Sequence, residues 1–383
     1  MPWLRARNVL WFAVAVVGLA AAGVVGLRPA RAPATPTTSA LRTNAQVDPG
    51  TSLGEQRAPD FTLIDQFGRR VALSSLRGRV VLLAFIDSEC TTICPLTSTE
   101  MELAQRMLGP AGRRVALVAV DANPTATSVA DTMAYSRAHG LTHKWLFLTG
   151  SRAQLDNVWR RYGVLVQIVH GLIDHTPALY LIDAQGRERR IYMSQMAYDA
   201  IGQQAQVFAR DAATLLPSHP PVHSSLSYTT ISGISPAQTV ALPRVGGGTV
   251  TLRAGDPHVV VFFATWSAET SNLRAELRTL GRYAKAAKTQ GLPGPVLVDE
   301  LPTEVSRARV EAYVRRLGAP LGYPVVFDST GRLAEGYDVQ DIPWVAVVSR
   351  ARRIVAHDDG WRSARALASQ VKAALARGAR AHA

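Results

Sequence analysis

Cysteine is nearly missing from this chain. Two thiols, Cys90 and Cys94, serve 383 residues, which excludes a disulfide-stapled scaffold. A bridge between them would close only a short loop and stabilise little, so their use lies in chemistry at the sulfurs. Lysine is scarce too: four of the 42 basic residues. The net charge of +13 rests on scattered arginines with no stripe of interleaved aromatics, which argues against a nucleic-acid partner. No acidic tail or low-complexity tract is present, and a 47% hydrophobic fraction is ample for real cores. The length fits two domains.

The one long uncharged run is N-terminal. Val9–Leu27, "VLWFAVAVVGLAAAGVVGL", is 19 residues long, enough to cross the hydrocarbon layer as a helix. Arg5 and Arg7 precede it and Ala20-Ala21-Ala22 offers small residues for cleavage, as in a signal peptide. The run exceeds a usual signal core, so a retained anchor over residues 1–27 is expected, single-pass in the cell membrane with the soluble domains on the extracytoplasmic side. Arg28 and Arg31 balance the preceding arginines and leave orientation by charge unassigned. Residues 28–56, with Pro29, Pro33 and Pro36 among Thr, Ser and Ala, read as a flexible stalk.

Strands and helices then alternate. Val80–Ile86 is a continuous apolar strand of the kind buried on both faces. A helix is expected from about Pro95 to just before Gly109-Pro110. Val115–Val120 reads as the next strand, Thr127–His139 and Arg152–Tyr162 as helices, and "ALYLID" followed by "RERRIY" as a strand pair. This is an α/β pattern of thioredoxin type, spanning residues 57–216.

In such a fold Cys90 falls in the loop at the carboxyl end of a central strand, with Cys94 at the start of the following helix. The helix N-terminus favours a thiolate there. Three intervening residues leave room for a metal between two sulfurs, and soft thiolates select Cu(I) or Zn(II). His175, just ahead of a strand, faces that helix end and is the candidate third ligand; an ordinary loop histidine is the alternative.

Cys90-x-x-x-Cys94-Pro95, followed some eighty residues on by Asp174-His175-Thr176 and "LYLIDAQGR", resembles the Sco/SenC copper-chaperone family. The resemblance implies one copper, as Cu(I) or Cu(II), held by Cys90, Cys94 and His175. It also implies a membrane-anchored, outward-facing protein that assists assembly of the cytochrome c oxidase copper centre, with the oxidase subunit or another cuproprotein as partner. Asp87-Ser88-Glu89 and the stretch "VDANPTATSVAD" depart from the family pattern.

Other chemistries remain open at this stage. Cys90 and Cys94 could form a redox pair that reduces the cysteines of a partner copper site, as a thiol–disulfide oxidoreductase. Thr91-x-x-Cys94-Pro95 echoes a thiol peroxidase, but Asp87 stands where that motif wants proline and His175 would have no role. Met193 and Met196 are weaker ligand candidates, since paired methionines more often pack. His139, His143 and His170 carry no pattern. His219 and His223 lie in a Pro/Ser-rich linker, residues 217–235.

Residues 236–383 repeat the order of the first domain. "FFATWSAETS" resembles the thioredoxin/TlpA active-site segment, with Ser267 and Thr270 in place of both cysteines, and Ile342-Pro343 stands at the cis-proline position. A second thioredoxin-like domain without redox chemistry is expected. Its Trp266–Ser267–Pro343 face should form a groove able to grip a partner. The whole chain thus reads as two tandem thioredoxin-like domains behind a transmembrane anchor.

Overall fold

The computed structural model describes residues 45–380, apart from 225, 228, 270, 271, 319, 320 and 359–362. The expected anchor at Val9–Leu27 lies outside the described residues, as do Thr270 and the first part of the stalk. Among the described residues no helix is long and apolar enough to cross a membrane.

The first half is built on a six-stranded sheet. Its order is Thr51–Ser52, Glu188–Met193, Ala178–Ile182, Val80–Ile86, Val115–Asp121 and Leu146–Leu148. Val80–Ile86 runs parallel to Val115–Asp121, with Val80 opposite Val115, and antiparallel to Ala178–Ile182, with Leu83 opposite Tyr180. All seven residues of Val80–Ile86 are buried, because each face of the sheet meets its own core. Leu82, Ala84 and Ile86 face a layer with Met101 and Phe208, from the helices Cys94–Met107 and Ile201–Leu215. Val81, Leu83 and Phe85 face Leu155 and Trp159 of the helix Arg152–Arg161. That helix and Val129–Ala138 each start at a capping box, Ser151 with Gln154 and Ser128 with Asp131, which satisfies N–H groups left open by the first turn.

The second half carries a five-stranded sheet in the order Val325–Asp328, Pro295–Glu300, His258–Phe263, Trp344–Val348 and Ile354–Asp358. The strand directions match those of the first sheet: parallel on one side of the central strand and antiparallel on the other. The Ile342–Pro343 bond is cis, as its position in the sequence suggests.

Two connecting stretches are folded where loose chain is expected. The stalk reading to residue 56 is too long. Val47 is buried, the Asp48 carboxylate accepts from the Met193 amide at 2.6 Å, and Thr51–Ser52 pairs with Ile191 and Arg190. The linker 217–235 is likewise held down. The His223 amide donates to the Met107 carbonyl at 2.7 Å, Gln203 donates to the carbonyls of Ser227 and Thr229, and the Ile234 amide donates to the Arg332 carbonyl.

The described residues accordingly belong to one compact unit. A single core joins the halves: Leu96, Ala138, Tyr198 and Ile201 of the first with Trp266, Ile342 and Trp344 of the second. The groove expected around Trp266 and Ser267 is therefore not open. Trp266 is 2% exposed and Ser267 fully buried, with the Trp266 ring 5.1 Å from that of His139. Apolar side chains on both faces explain this, since each would otherwise meet water.

Candidate metal centre

The central strand Val80–Ile86 delivers the chain to a short loop, and the helix begins at Cys94 itself with Pro95 in its first turn. Ile93, the residue before it, offers no side-chain cap. The sulfur of Cys90 fills that role: it accepts the Cys94 amide at 3.4 Å and lies 3.3 Å from the Thr92 hydroxyl. The two thiols are not bridged; Cys90 is half-buried and Cys94 buried.

Their acidities split. Hydrogen bonding from the Cys94 side chain, reinforced by Thr92, brings Cys90 below the usual thiol range against the opposing effect of burial. Burial pushes Cys94 well above it, and the neighbouring Cys90 adds to the rise. Side-chain hydrogen bonds thus favour the thiolate at Cys90, where the sequence pattern points to Cys94.

His175 ends the strand Leu172–His175, which pairs with Val166–Val169 in a two-stranded hairpin, Val166 opposite His175. It is a strand residue, not a loop residue. Its Nδ1 lies 3.1 Å from the Thr176 carbonyl oxygen. A carbonyl only accepts, so Nδ1 carries the proton and Nε2 offers its lone pair. Nε2 points at the Cys94 sulfur, 3.7 Å away. Burial lowers the imidazole pKa and keeps the ring neutral.

That spacing suits a shared metal ion. With thiolate and imidazole bonds of about 2.3 and 2.0 Å, two ligands opened by about 110–120° stand roughly 3.5–3.7 Å apart. Cys90 is engaged with the helix terminus instead. Among the described residues no group of three or more His, Cys, Asp and Glu side chains is already closed around a common point. The donor chemistry, two sulfurs and one imidazole nitrogen, fits a soft ion.

A polar network fixes the loop from behind. Asn123, fully buried, donates through Nδ2 to Asp87 Oδ1 at 2.7 Å and to Glu89 Oε2 at 3.1 Å, while the Glu89 amide donates to Asp87 Oδ1. Ser88 donates to the Ala126 carbonyl at 3.2 Å. The acidic triplet Asp87-Ser88-Glu89 and the loop around Asn123, the two departures in the sequence, are therefore partners. On the helix, Thr97 donates to Ser194 at 2.8 Å and the Ser98 hydroxyl lies 3.2 Å from that of Tyr135.

A family profile described as SCO1/SenC matches residues 50–209. The chain carries an SCO1/SenC domain. A "SCO1 protein homolog" from Bacillus subtilis is 27% identical over 148 residues, 37% of this chain and 77% of that protein. Among solved structures, Bradyrhizobium japonicum ScoI with copper bound shares 24% identity, covering 42% of this chain and 99% of that one, at a TM-score of 0.37. BsSco, described as a member of the Sco family of cytochrome c oxidase assembly proteins with a disulfide switch, shares 25% over 41% of this chain and 95% of that one, at a TM-score of 0.34.

Cys90, Cys94 and His175 all lie inside the SCO1/SenC domain. The remaining sequence candidates go elsewhere. Met193 is exposed at a strand end and Met196 packs against the core shared by the halves. His143 stacks on Phe67 at 5.4 Å, His170 sits in the hairpin turn, and His219 and His223 are exposed. His139 lies between Tyr135 and Trp266, where burial and Arg309 hold its pKa down to about 3. The bond between Asn123 and Asp87 behind the loop is what sequence reading leaves out; it spans 36 positions and has no local signal.

Proposed function

We propose that this protein is a copper chaperone whose SCO1/SenC domain binds one copper ion through Cys90, Cys94 and His175 and passes it to a cuproprotein, the copper-bearing subunit of cytochrome c oxidase first. Val9–Leu27 anchors it in the cell membrane, and residues 45–383 work on the extracytoplasmic side. The observation that carries the reading is the Cys94 Sγ to His175 Nε2 separation of 3.7 Å, with the other imidazole nitrogen committed to the Thr176 carbonyl. Such outer partners commonly fix the tautomer of a ligating histidine. Copper here is cargo: two thiolates retain Cu(I), and the imidazole contributes more to Cu(II), which favours nitrogen. X-ray absorption on the copper-loaded, reduced protein tests this. Two sulfurs and one nitrogen or oxygen around copper are expected; a shell of nitrogen and oxygen alone would contradict the assignment.

A second reading draws on the unlike environments of the thiols. Cys90 is half-exposed and hydrogen-bonded at a helix terminus, while Cys94 is buried beside it. In that reading the Cys90 thiolate attacks a partner's disulfide and forms a mixed disulfide. Cys94, losing its proton, then displaces the partner, which leaves as a dithiol while Cys90 and Cys94 become the disulfide. Two electrons and two protons pass to the partner.

The second half carries a five-stranded sheet and no thiol, since both cysteines lie in the first. Without a thiolate it has no exchange chemistry of its own.

A further inference from the structure

The helix Cys94–Met107 is gripped from two sides. The first-half sheet and the helix Ile201–Leu215 hold one side through Met101, Ala104 and Phe208. The second half holds the other. Leu96, two residues past Cys94 and 1% exposed, shares a core with Trp266, Ile342 and Trp344, and Leu103 packs against the same core about two turns on. The helix also touches the turn Leu301–Thr303, and Val129–Ala138 touches Thr265–Glu269.

Polar contacts tie the same seam at its ends. Arg309 donates to the Arg137 carbonyl at 3.2 Å, and the Tyr198 amide donates to Glu335 Oε2 at 3.1 Å. The seam reaches the sulfurs through the first half as well. Trp266 contacts His139, His139 lies 4.1 Å from Tyr135, and the Tyr135 hydroxyl meets Ser98, one turn along from Cys94.

We infer that the second half is a fixed internal brace for the helix that bears Cys94, and that its Trp266–Ile342 face is filled by the first half and is not a seat for another protein. The thiol-free half serves the site mechanically. Ile93 offers no side-chain cap and the Cys90 sulfur accepts only the Cys94 amide, so packing around Leu96 adds a second hold on the first helical turn. By holding that turn, the brace sets Cys94 against His175, whose hairpin leads into the strand Ala178–Ile182 at the same end of the sheet as the cysteine loop. A helix whose buried apolar stripe loses its cover opens more often, and its first turn opens most readily. This part of the inference rests on the copper reading above; the brace itself does not.

The test uses the reduced, metal-free full chain and two readouts. Hydrogen exchange across Cys94–Met107 reports the brace without copper, and competition with a chromophoric Cu(I) chelator reports affinity. Trp266→Ala is expected to speed exchange of the helix amides about tenfold and weaken Cu(I) binding about tenfold, at an unchanged one copper per chain. Trp266→Phe restores both. If Trp266→Ala does not fold cooperatively, Arg309→Ala carries the test, with effects of about threefold. Unchanged exchange in a folded Trp266→Ala chain overturns the brace, and faster exchange with unchanged affinity overturns its positioning role. A wild-type chain that takes up no copper refutes the copper reading and leaves exchange to decide the brace.

Discussion

The side-chain amide of Asn123 donates to the Asp87 carboxylate at 2.7 Å, joining the loops that follow two neighbouring central strands. Both residues are buried, and the Asp87 carbonyl accepts the Cys90 amide at 3.2 Å, so this bond sits directly beneath the first cysteine. Asn123→Ala removes the donor and leaves a buried carboxylate short of a partner. The expected cost is about 1–3 kcal/mol of stability, read from chemical denaturation. Copper stoichiometry stays at one while Cu(I) affinity falls about tenfold, as for other residues that orient ligands from behind. An unchanged affinity would show that the network only stabilises the fold.

Glu100 makes stability depend on pH. It is buried on the helix Cys94–Met107 with Oε2 unpartnered among the described residues, and burial raises its pKa to about 8. The folded chain therefore holds a proton that the unfolded chain gives up above its ordinary value of 4.5. Stability from this group is fully present below that value and is lost as pH rises through about 8. Glu100→Gln is expected to flatten the fall and to stabilise the protein at pH 8 by about 1–3 kcal/mol. Thermal melts from pH 5 to 9 check it; parallel curves for both chains would refute it.

The cysteines are predicted to oxidise together. A disulfide removes both thiolates, so the oxidised chain should lose copper, because a ligand sulfur must be ionised. Alkylation and mass spectrometry of the full chain, with and without reductant, should show two thiols labelled or none. Full copper occupancy in the oxidised chain would place the metal elsewhere.

Membrane attachment is expected through Val9–Leu27. Expressed from its own start, the protein should remain in the pellet after alkaline carbonate and keep Met1 or Pro2 at its N-terminus. A mature N-terminus near Ala22 would mean a cleaved signal peptide.

Much of the first half was legible before its structure. The run Val80–Ile86 is a strand with those bounds, since a run apolar on both faces requires cover on both faces. Pro95 marks the start of its helix to within one residue. The meeting of Cys94 and His175 followed from strand order. What was not legible depends on distant partners or on exposure. The hairpin at Val166–His175 keeps Ile168 and Leu172 exposed, so it carries no inward alternation to read. The helix Ile201–Leu215 buries Gln203, Gln204 and Gln206 beside its apolar residues, so polar side chains mask its buried face in the sequence. Periodicity places Trp266 in a loop but does not tell whether its ring meets another protein or His139 of its own chain.

The most direct test of the account is a copper titration of the reduced full chain beside Cys90→Ser, Cys94→Ser, their double variant and His175→Ala. One Cu(I) per wild-type chain is predicted, with none in the double variant. His175→Ala should keep Cu(I) more weakly and lose Cu(II) to a greater degree. Copper held at one per chain by the Cys90→Ser/Cys94→Ser variant would contradict the assignment of the site.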